Sequence, residues 1–276
     1  MKAETAAKRD RFLDVARVGP AVMGIVNITP DSFSDGGRFV EADAATAHAR
    51  AHVAAGAAIV DVGAESTRPG HSPVTEAEEI ARLAPALAAL VQSIDVAVSI
   101  DTTKAVVASL ALEAGVAVVN DQWGLQGDPA MADIVAAGEA GLVLMHNRAS
   151  TDPDLDIVDD IRRFFDRSLA LADRAGILRA RLVLDPGIGF GKTKAQNFAA
   201  LNGVRVLRDY GLPILVGVSR KSLFAALLGP HGAGDRLIPT IAANVAAAAR
   251  GATIFRVHDC AENLAALAVF DAIERA

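Results

Sequence analysis

The sequence predicts a (β/α)8 barrel in a single domain, and three observations carry that prediction. Eight short runs rich in valine and isoleucine recur along the chain. Each is too short for a helix and apolar at consecutive rather than alternate positions, as in strands buried on both faces of a parallel sheet. Alanine-rich amphipathic stretches lie between them. The 276 residues then divide into eight strand–helix units of roughly 34 each, the economy of a closed barrel. A doubly wound open sheet would use fewer strands and a recognisable phosphate turn after the first.

The strands are expected in AVMGIVN (21–27), AAIVDVG (57–63), VAVSID (96–101), VAVVND (116–121), GLVLMH (141–146), RLVLDP (181–186), PILVGVS (213–219) and ATIFRVHD (252–259). Helices are expected over 41–55, 75–92, 103–114, 129–138, 155–175, 195–210, 221–228 and 237–249, with a last, weaker one running toward the terminal ERA. Thr75 followed by Glu78 has the spacing of a capping box. Gly56, Gly115 and Gly251 sit where helix C-terminal caps would use them. No Pro/Gly/Ser linker or shift in composition divides the chain, so residues 21–276 are read as the barrel and 1–20 as an N-terminal extension.

Composition narrows the function. Hydrophobic residues make up 52%, ample for a large core, and the net charge is −6 with scattered basic residues. Nucleic acid and acidic membranes are therefore poor partners, although a local cationic pocket remains open. The single cysteine, Cys260, excludes an internal disulfide and suits a reducing cytoplasm. No Cys/His spacing fits zinc, the charged N-terminus lacks the apolar segment of a secretory signal, and no apolar stretch reaches bilayer-spanning length.

The stretch DPGIGFGKT (185–193) ends like a nucleotide-binding loop, but the pattern G-x-x-x-x-G-K-[ST] would need glycine at 186, which is proline. Proline removes an amide where such a loop needs one, and fixes φ. A dinucleotide-binding G-x-G-x-x-G fails too, because position 192 is lysine. Lys192 and Thr193 are read as structural or solvent-facing.

In a barrel the strand C-termini and following loops form the active face. The polar residues delivered there are Asn27, Asp61, Asp101, Asn120, Asp121, His146, Asp185, Ser219, Arg256 and His258. Carboxylates and amides suit the donor-rich edge of a small heterocycle, and Arg with His beside Asn suits an anion, bridged or not by metal. Capping of the barrel would account for any one of them, but not for so many together. Two loops add to the ring. TPDSFSDGGRF (29–39) reads as an ordinary turn or as a lid over the site, and AESTRPG (64–70) sets Arg68 before a rigid Pro-Gly turn, where it could clamp phosphate.

Together the words MGIVNITPDSFSDGG (23–37), DVGAESTRPG (61–70), SIDT (99–102), ND (120–121), LMH (144–146), LDPGIGFGKT (184–193), GVSRKS (217–222) and RVHD (256–259) resemble, in order, the dihydropteroate synthase family of folate biosynthesis. The first two are long and highly specific. The resemblance covers the chain from about residue 21 onward and implies condensation of 6-hydroxymethyl-7,8-dihydropterin diphosphate with 4-aminobenzoate. It implies that Asp101, Asn120 and Asp185 read the pterin edge, with Lys221 on its carbonyl and ring nitrogen, and that Met145, Phe190 and Arg256 pack around the ring. Asn27, Arg68, Arg256 and His258 would take the diphosphate, Asn27 through Mg2+. Phe33, Thr67, Pro69, Phe190, Lys221 and Ser222 would form the aminobenzoate site. A cytoplasmic homodimer, joined through the last helices of the barrel, is the assembly it implies.

Two positions depart from the family, and the first, Thr103 in place of a frequent aromatic residue, is expected to have no consequence. Gln122 stands where an aliphatic residue usually touches the pterin, so its amide must turn away or find partners. Two other classes share the barrel. Pterin-dependent methyltransferases would have no use for the RPG arginine or the SRKS word, and a non-catalytic paralogue need not keep every site residue, as this chain does.

Overall fold

The eight apolar runs become parallel strands: β1 (Ala21–Asn27), β2 (Ile59–Gly63), β3 (Ala97–Asp101), β4 (Val118–Asp121), β5 (Gly141–Met145), β6 (Leu182–Asp185), β7 (Leu215–Val216) and β8 (Ile254–Val257). Hydrogen bonding runs β6-β5-β4-β3-β2-β1-β8-β7. The remaining seam, between β6 and β7, is closed by one isolated parallel bridge from Leu184 to Ile214, where the Leu184 amide donates to the Pro213 carbonyl at 3.0 Å. The result is the expected (β/α)8 barrel. This computed structural model describes residues 1–28, 37–65, 74–228 and 236–276, with the side chains of 37–41 and 225–226 outside the description. Phe33, Thr67, Arg68 and Pro69 fall outside the described residues.

The helices α1 (Ala3–Val18), α2 (Gly37–Ala54), α3 (Glu76–Ser93), α4 (Ala105–Glu113), α5 (Met131–Ala137), α6 (Ile157–Arg174), α7 (Lys194–Leu207), α8 (Ala225–Leu228), α9 (Leu237–Ala248) and α10 (Cys260–Glu274) account for every expected helical stretch. Two differ in kind. The stretch 195–210 ends in a 3-10 turn at Arg208–Tyr210, and 221–228 is a 3-10 turn at Ser222–Phe224 followed by the one-turn α8. Gly56, Gly115 and Gly251 have φ of 94°, 102° and 101°, the left-handed conformation that ends a helix at glycine. At α3 half of the capping box forms: Thr75 accepts from the Glu78 amide at 3.3 Å, while the Glu78 carboxylate pairs with Arg82.

Helix α1 was not anticipated. Its inward face repeats at helical spacing, Thr5, Arg9, Phe12, Leu13 and Ala16, and covers the floor of the barrel. There Phe12 and Leu13 pack with one inward side chain from each strand: Met23, Ile59, Ala97, Val118, Val143, Val183, Leu215 and Ile254. Arg9, 5% exposed, donates to the Glu139 carbonyl at the turn before β5. The extension is thus part of the barrel core. A second, larger core fills the space between the strands and the outer helices. At Gly24 the strand admits the His52 ring so closely that a Cβ would stand 2.6 Å from it.

Candidate active site

Strand register sets the polar residues on one rim. Asn27 is level with Gly63, Gly63 with Asp101, Asp101 with Asn120, and Met145 with Asp185. Asp61 lies two residues before Gly63, on the same face but one layer deeper.

Arg256, from β8, reaches across this rim. Its Nε donates to Asp61 Oδ2 and its Nη2 to Asp101 Oδ2, both at 2.6 Å. Asp61 is wholly buried and Asp101 nearly so, which makes the pair of bonds a rigid mount for the guanidinium. Burial pushes the Asp101 carboxyl up to about 6 against the opposing pull of Arg256, and the Asp61 charge adds to the rise. The Asn120 amide donates to Asp61 Oδ2 at 3.1 Å. Among the described residues Asp61 Oδ1 and Asn120 Oδ1 are buried and accept no hydrogen bond. Two unsatisfied acceptors side by side invite a ligand carrying N–H donors.

Gln122 has found its partner. Its Nε2 donates to Asp101 Oδ1 at 2.6 Å, so the amide sits on the carboxylate rather than turning away. Asp121 is not a ligand-reading residue. Its two oxygens accept from the Trp123 and Leu125 amides at 2.9 and 2.6 Å and hold the turn after β4.

Opposite stand Asp185 and Lys221. Asp185 Oδ1 accepts from the Gly187 amide at 2.7 Å, and burial raises its pKa against that hydrogen bond and three nearby cations, Lys221, Lys192 and Arg256. The Lys221 ammonium donates to the Ile188 carbonyl and lies 4.5 Å over the Phe190 ring. Burial brings it down to about 8, opposed by the Asp185 charge. Gly217 lies between the two walls: a Cβ there would be 3.8 Å from the Arg256 Cβ and 4.0 Å from Asp185 Oδ2. The structure therefore brings Asp101, Asn120, Asp185, Lys221 and Arg256 to one cleft, with buried Met145 at the end of β5 and half-buried Phe190 in the loop after β6.

Asn27 ends β1 exposed, and Ser222 is exposed at the start of its 3-10 turn. His258 pairs with Ser219: the Ser219 hydroxyl accepts from the His258 amide at 3.1 Å and lies 2.9 Å from Nδ1. With the hydroxyl donating to Nδ1, the ring keeps its single proton on Nε2. Burial, followed by the charges of Arg220 and Arg256, pushes His258 down to about 4. It is a neutral donor at pH 7 and not the cation that a count of basic residues suggests.

Two further strand-end and loop residues are taken up by contacts within the protein. His146 and Lys192 bond to one another, and Thr193 caps α7 in a full capping box with Gln196. Lys192 is not solvent-facing: it is 8% exposed. Sequence reasoning gave no role to Asp61, whose signal was only its place in the ring of polar strand ends. Among the described residues no group of three or more His, Cys, Asp or Glu side chains could cage a metal ion, and no helix is long and apolar enough to cross a membrane.

The family described as pterin binding enzyme matches residues 23–258. The dihydropteroate synthase of Clostridium beijerinckii is 43% identical over 255 residues, 92% of this chain and 94% of that one. A probable bifunctional folylpolyglutamate synthase/dihydropteroate synthase of Haloferax volcanii is 48% identical over 91% of this chain, which spans only 30% of that protein. Among solved structures, the dihydropteroate synthase of Clostridium difficile in the presence of pteroic acid superposes with a TM-score of 0.90 at 46% identity, covering 94% of this chain and 98% of that one. That of Xanthomonas albilineans with 4-aminobenzoic acid gives 0.89 at 40% identity, covering 94% and 95%.

Proposed function

The chain belongs to the family of pterin-binding enzymes, and from that premise we propose that it is a transferase with dihydropteroate synthase activity. It condenses 6-hydroxymethyl-7,8-dihydropterin diphosphate with 4-aminobenzoate, giving 7,8-dihydropteroate and pyrophosphate. The observation that carries this reading is the acceptor wall of Asp101, Asn120 and Asp61 around a fixed Arg256, facing Asp185 and Lys221. An aminopyrimidine edge offers the N–H donors that such a wall lacks, and its carbonyl and ring nitrogen accept from the Lys221 ammonium.

The chemistry follows from the charges. The C–O bond to diphosphate breaks with its electron pair leaving on pyrophosphate, and the electron-rich pterin carries the positive charge left on the methylene carbon. The carboxylates Asp101 and Asp185 favour that cation electrostatically, and loops 29–39 and 64–70 would shield it from bulk water. The aminobenzoate nitrogen attacks with its lone pair and then releases a proton. No strong general base is needed, because an aniline is neutral at pH 7. Arg256 lends charge to the departing diphosphate, joined by Arg68, and His258 contributes its Nε2–H as a neutral donor. Phe190, Lys221 and Ser222 line the aminobenzoate side with Phe33, Thr67 and Pro69.

Mg2+ fits the donor set at the rim. Magnesium takes hard oxygen donors and is commonly held by one or two protein groups plus substrate phosphates rather than by a protein cage. The exposed Asn27 amide at the end of β1 supplies one such oxygen. Bound there with diphosphate, Mg2+ would neutralise leaving-group charge.

We further propose a cytoplasmic homodimer. Between α7, α8 and α9 runs an apolar groove of about 430 Å³, lined by Phe198, Leu201, Phe224, Leu227, Ile238 and Ala242 among others. Leu227 and Ile238 are 68% and 73% exposed, and a second copy is the partner that would cover them. The deciding assay is pyrophosphate release. Release that requires both the pterin diphosphate and 4-aminobenzoate is expected; release with neither dependence, or none at all, would remove the reading.

A further inference from the structure

Lys192 is buried beneath the loop that follows β6, and its ammonium has no donor left over. It donates to the Gly187 carbonyl at 2.7 Å, to the Phe190 carbonyl at 3.1 Å and to His146 Nδ1 at 2.8 Å. A lysine that donates to Nδ1 requires a neutral imidazole with its proton on Nε2. That proton faces Asp160 Oδ2 at 3.1 Å, which also accepts from Arg148 Nη1 at 2.8 Å. The chain of bonds is thus complete in protons: ammonium, neutral imidazole, carboxylate, guanidinium. Burial and the Lys192 charge push His146 down to about 3, which agrees with that assignment.

The segment these bonds hold has no regular secondary structure to fix its shape. Gly187, Gly189 and Gly191 all have left-handed φ, at 64°, 92° and 56°, so three of five consecutive residues lie outside any regular ladder. Gly187 and Phe190, whose carbonyls Lys192 binds, both touch the ligand-reading groups, as does Ile188, whose carbonyl accepts from Lys221. The Gly187 amide donates to Asp185, and the Phe190 ring lies under the Lys221 ammonium. Asn197 adds a second fastening, accepting from the Gly189 amide at 2.5 Å and donating to the Thr193 carbonyl at 2.9 Å.

We propose that Lys192 is a positioning residue for pterin recognition: it holds residues 185–190 in the shape that presents Asp185 and Phe190, and the His146–Asp160 pair holds Lys192. The proposal rests on the pterin reading given above. Lys192 also acts through its charge. The charged and titratable groups facing it are Asp185, Asp160, His146, Lys221 and Arg148, and its field helps keep Asp185 ionised alongside Lys221 and Arg256. Burial leaves the ammonium itself titrating at about 7, so its hold on the loop is sensitive to pH near neutrality.

The test is calorimetric titration with 6-hydroxymethylpterin from about pH 5.5 to 8.5 on the wild type, Lys192→Met, His146→Leu and His146→Asn, each checked for fold by circular dichroism. Lys192→Met and His146→Leu should bind about tenfold or more weakly, the loss expected from one mispaired buried group. His146→Asn keeps an acceptor toward Lys192 and should recover most of the affinity. In Lys192→Met the acid limb of the affinity profile should move to higher pH, because Asp185 has lost a neighbouring cation and protonates sooner. Wild-type affinity in the variants, or weaker binding with an unmoved acid limb and no recovery in His146→Asn, would overturn the proposal. If Lys192→Met does not fold, the His146→Leu and His146→Asn pair decides by the same affinities. A wild type that binds no pterin would instead remove the functional reading, so the two failures are distinguishable.

Discussion

Replacing Arg256 by alanine should reveal how much the cleft depends on one guanidinium. In the native protein it makes two charge-assisted hydrogen bonds of 2.6 Å, to Asp61, which is 0% exposed, and to Asp101, which is 8% exposed. Without it, two buried carboxylates face each other with their shared cation gone. Removing one partner of a buried ion pair costs about 3–5 kcal/mol, and in a chain of this size that corresponds to a fall in Tm of roughly 5–15 °C. The pH dependence tests the cause. Asp101 has a folded pKa raised to about 6, so the stability it contributes is present at low pH and is lost as pH rises through that value. In the wild type that loss is complete a little above pH 6. In Arg256→Ala the strongest influence lowering the Asp101 pKa is absent, the pKa lies higher, and stability goes on falling toward pH 8. Thermal unfolding of both proteins at intervals from about pH 5 to 8 should therefore show a gap that widens above pH 6. Turnover, followed by pyrophosphate release, should drop by at least ~100-fold, as for loss of a transition-state charge partner. A gap that is small and constant across this range, or near-native turnover, would show that Arg256 is neither the mount of the acceptor wall nor a partner of the leaving group.

Other outcomes are open to direct measurement. Asp185→Asn can still accept from the Gly187 amide but turns an NH2 toward the ligand, so pterin affinity should fall by ~1–3 kcal/mol with little change in Tm; unaltered affinity would place the pterin elsewhere. Gly187→Ala should prevent the loop from forming, because its Cβ would stand 1.8 Å from the His146 carbonyl oxygen at a φ of 64°. Gly176→Ala, at φ 75° with open space around the Cβ, serves as the control that bears the backbone strain alone, and equal Tm in the two variants would refute the steric account. Ile238→Glu puts a charge on the exposed apolar groove and should yield monomers in sedimentation; an unchanged dimer would remove that face as the interface, and a monomeric wild type would remove the dimer.

The strands were legible because burial on both faces leaves a continuous apolar run, and the site was legible where that run ends in a carboxylate or amide. What escaped did so for physical reasons. Strand β7 shrinks to Leu215–Val216 because Pro213 and Gly217 bracket it, one without an amide to donate and the other without a side chain to pack. Helix α1 presents few large apolar residues and buries Thr5 and Arg9 instead, so its face does not look like a core face. Lys192 was read as structural or solvent-facing because burying a lysine needs acceptors, and the decisive one, His146, lies 46 residues away. The role of Gln122 depends on Asp101, 21 residues earlier on another strand, a contact that no local pattern encodes. His258 lost its presumed charge to burial, and burial is a property of the assembled barrel.

The seam between β6 and β7 gives the barrel a direction in which it can yield. Elsewhere neighbouring strands share ladders of two to five paired residues, whereas here one bridge joins Leu184 to Ile214. Asp185 immediately follows that bridge on one side, and the Gly217–Lys221 segment leaves the other. A molecule gripped by Asp185 and Lys221 together would therefore span the weakest joint of the cylinder and act as its missing cross-tie. Such binding would stiffen the whole β6–β7 sector, and slower amide exchange at Val183, Ile214 and Leu215 would record it at a distance from the ligand itself.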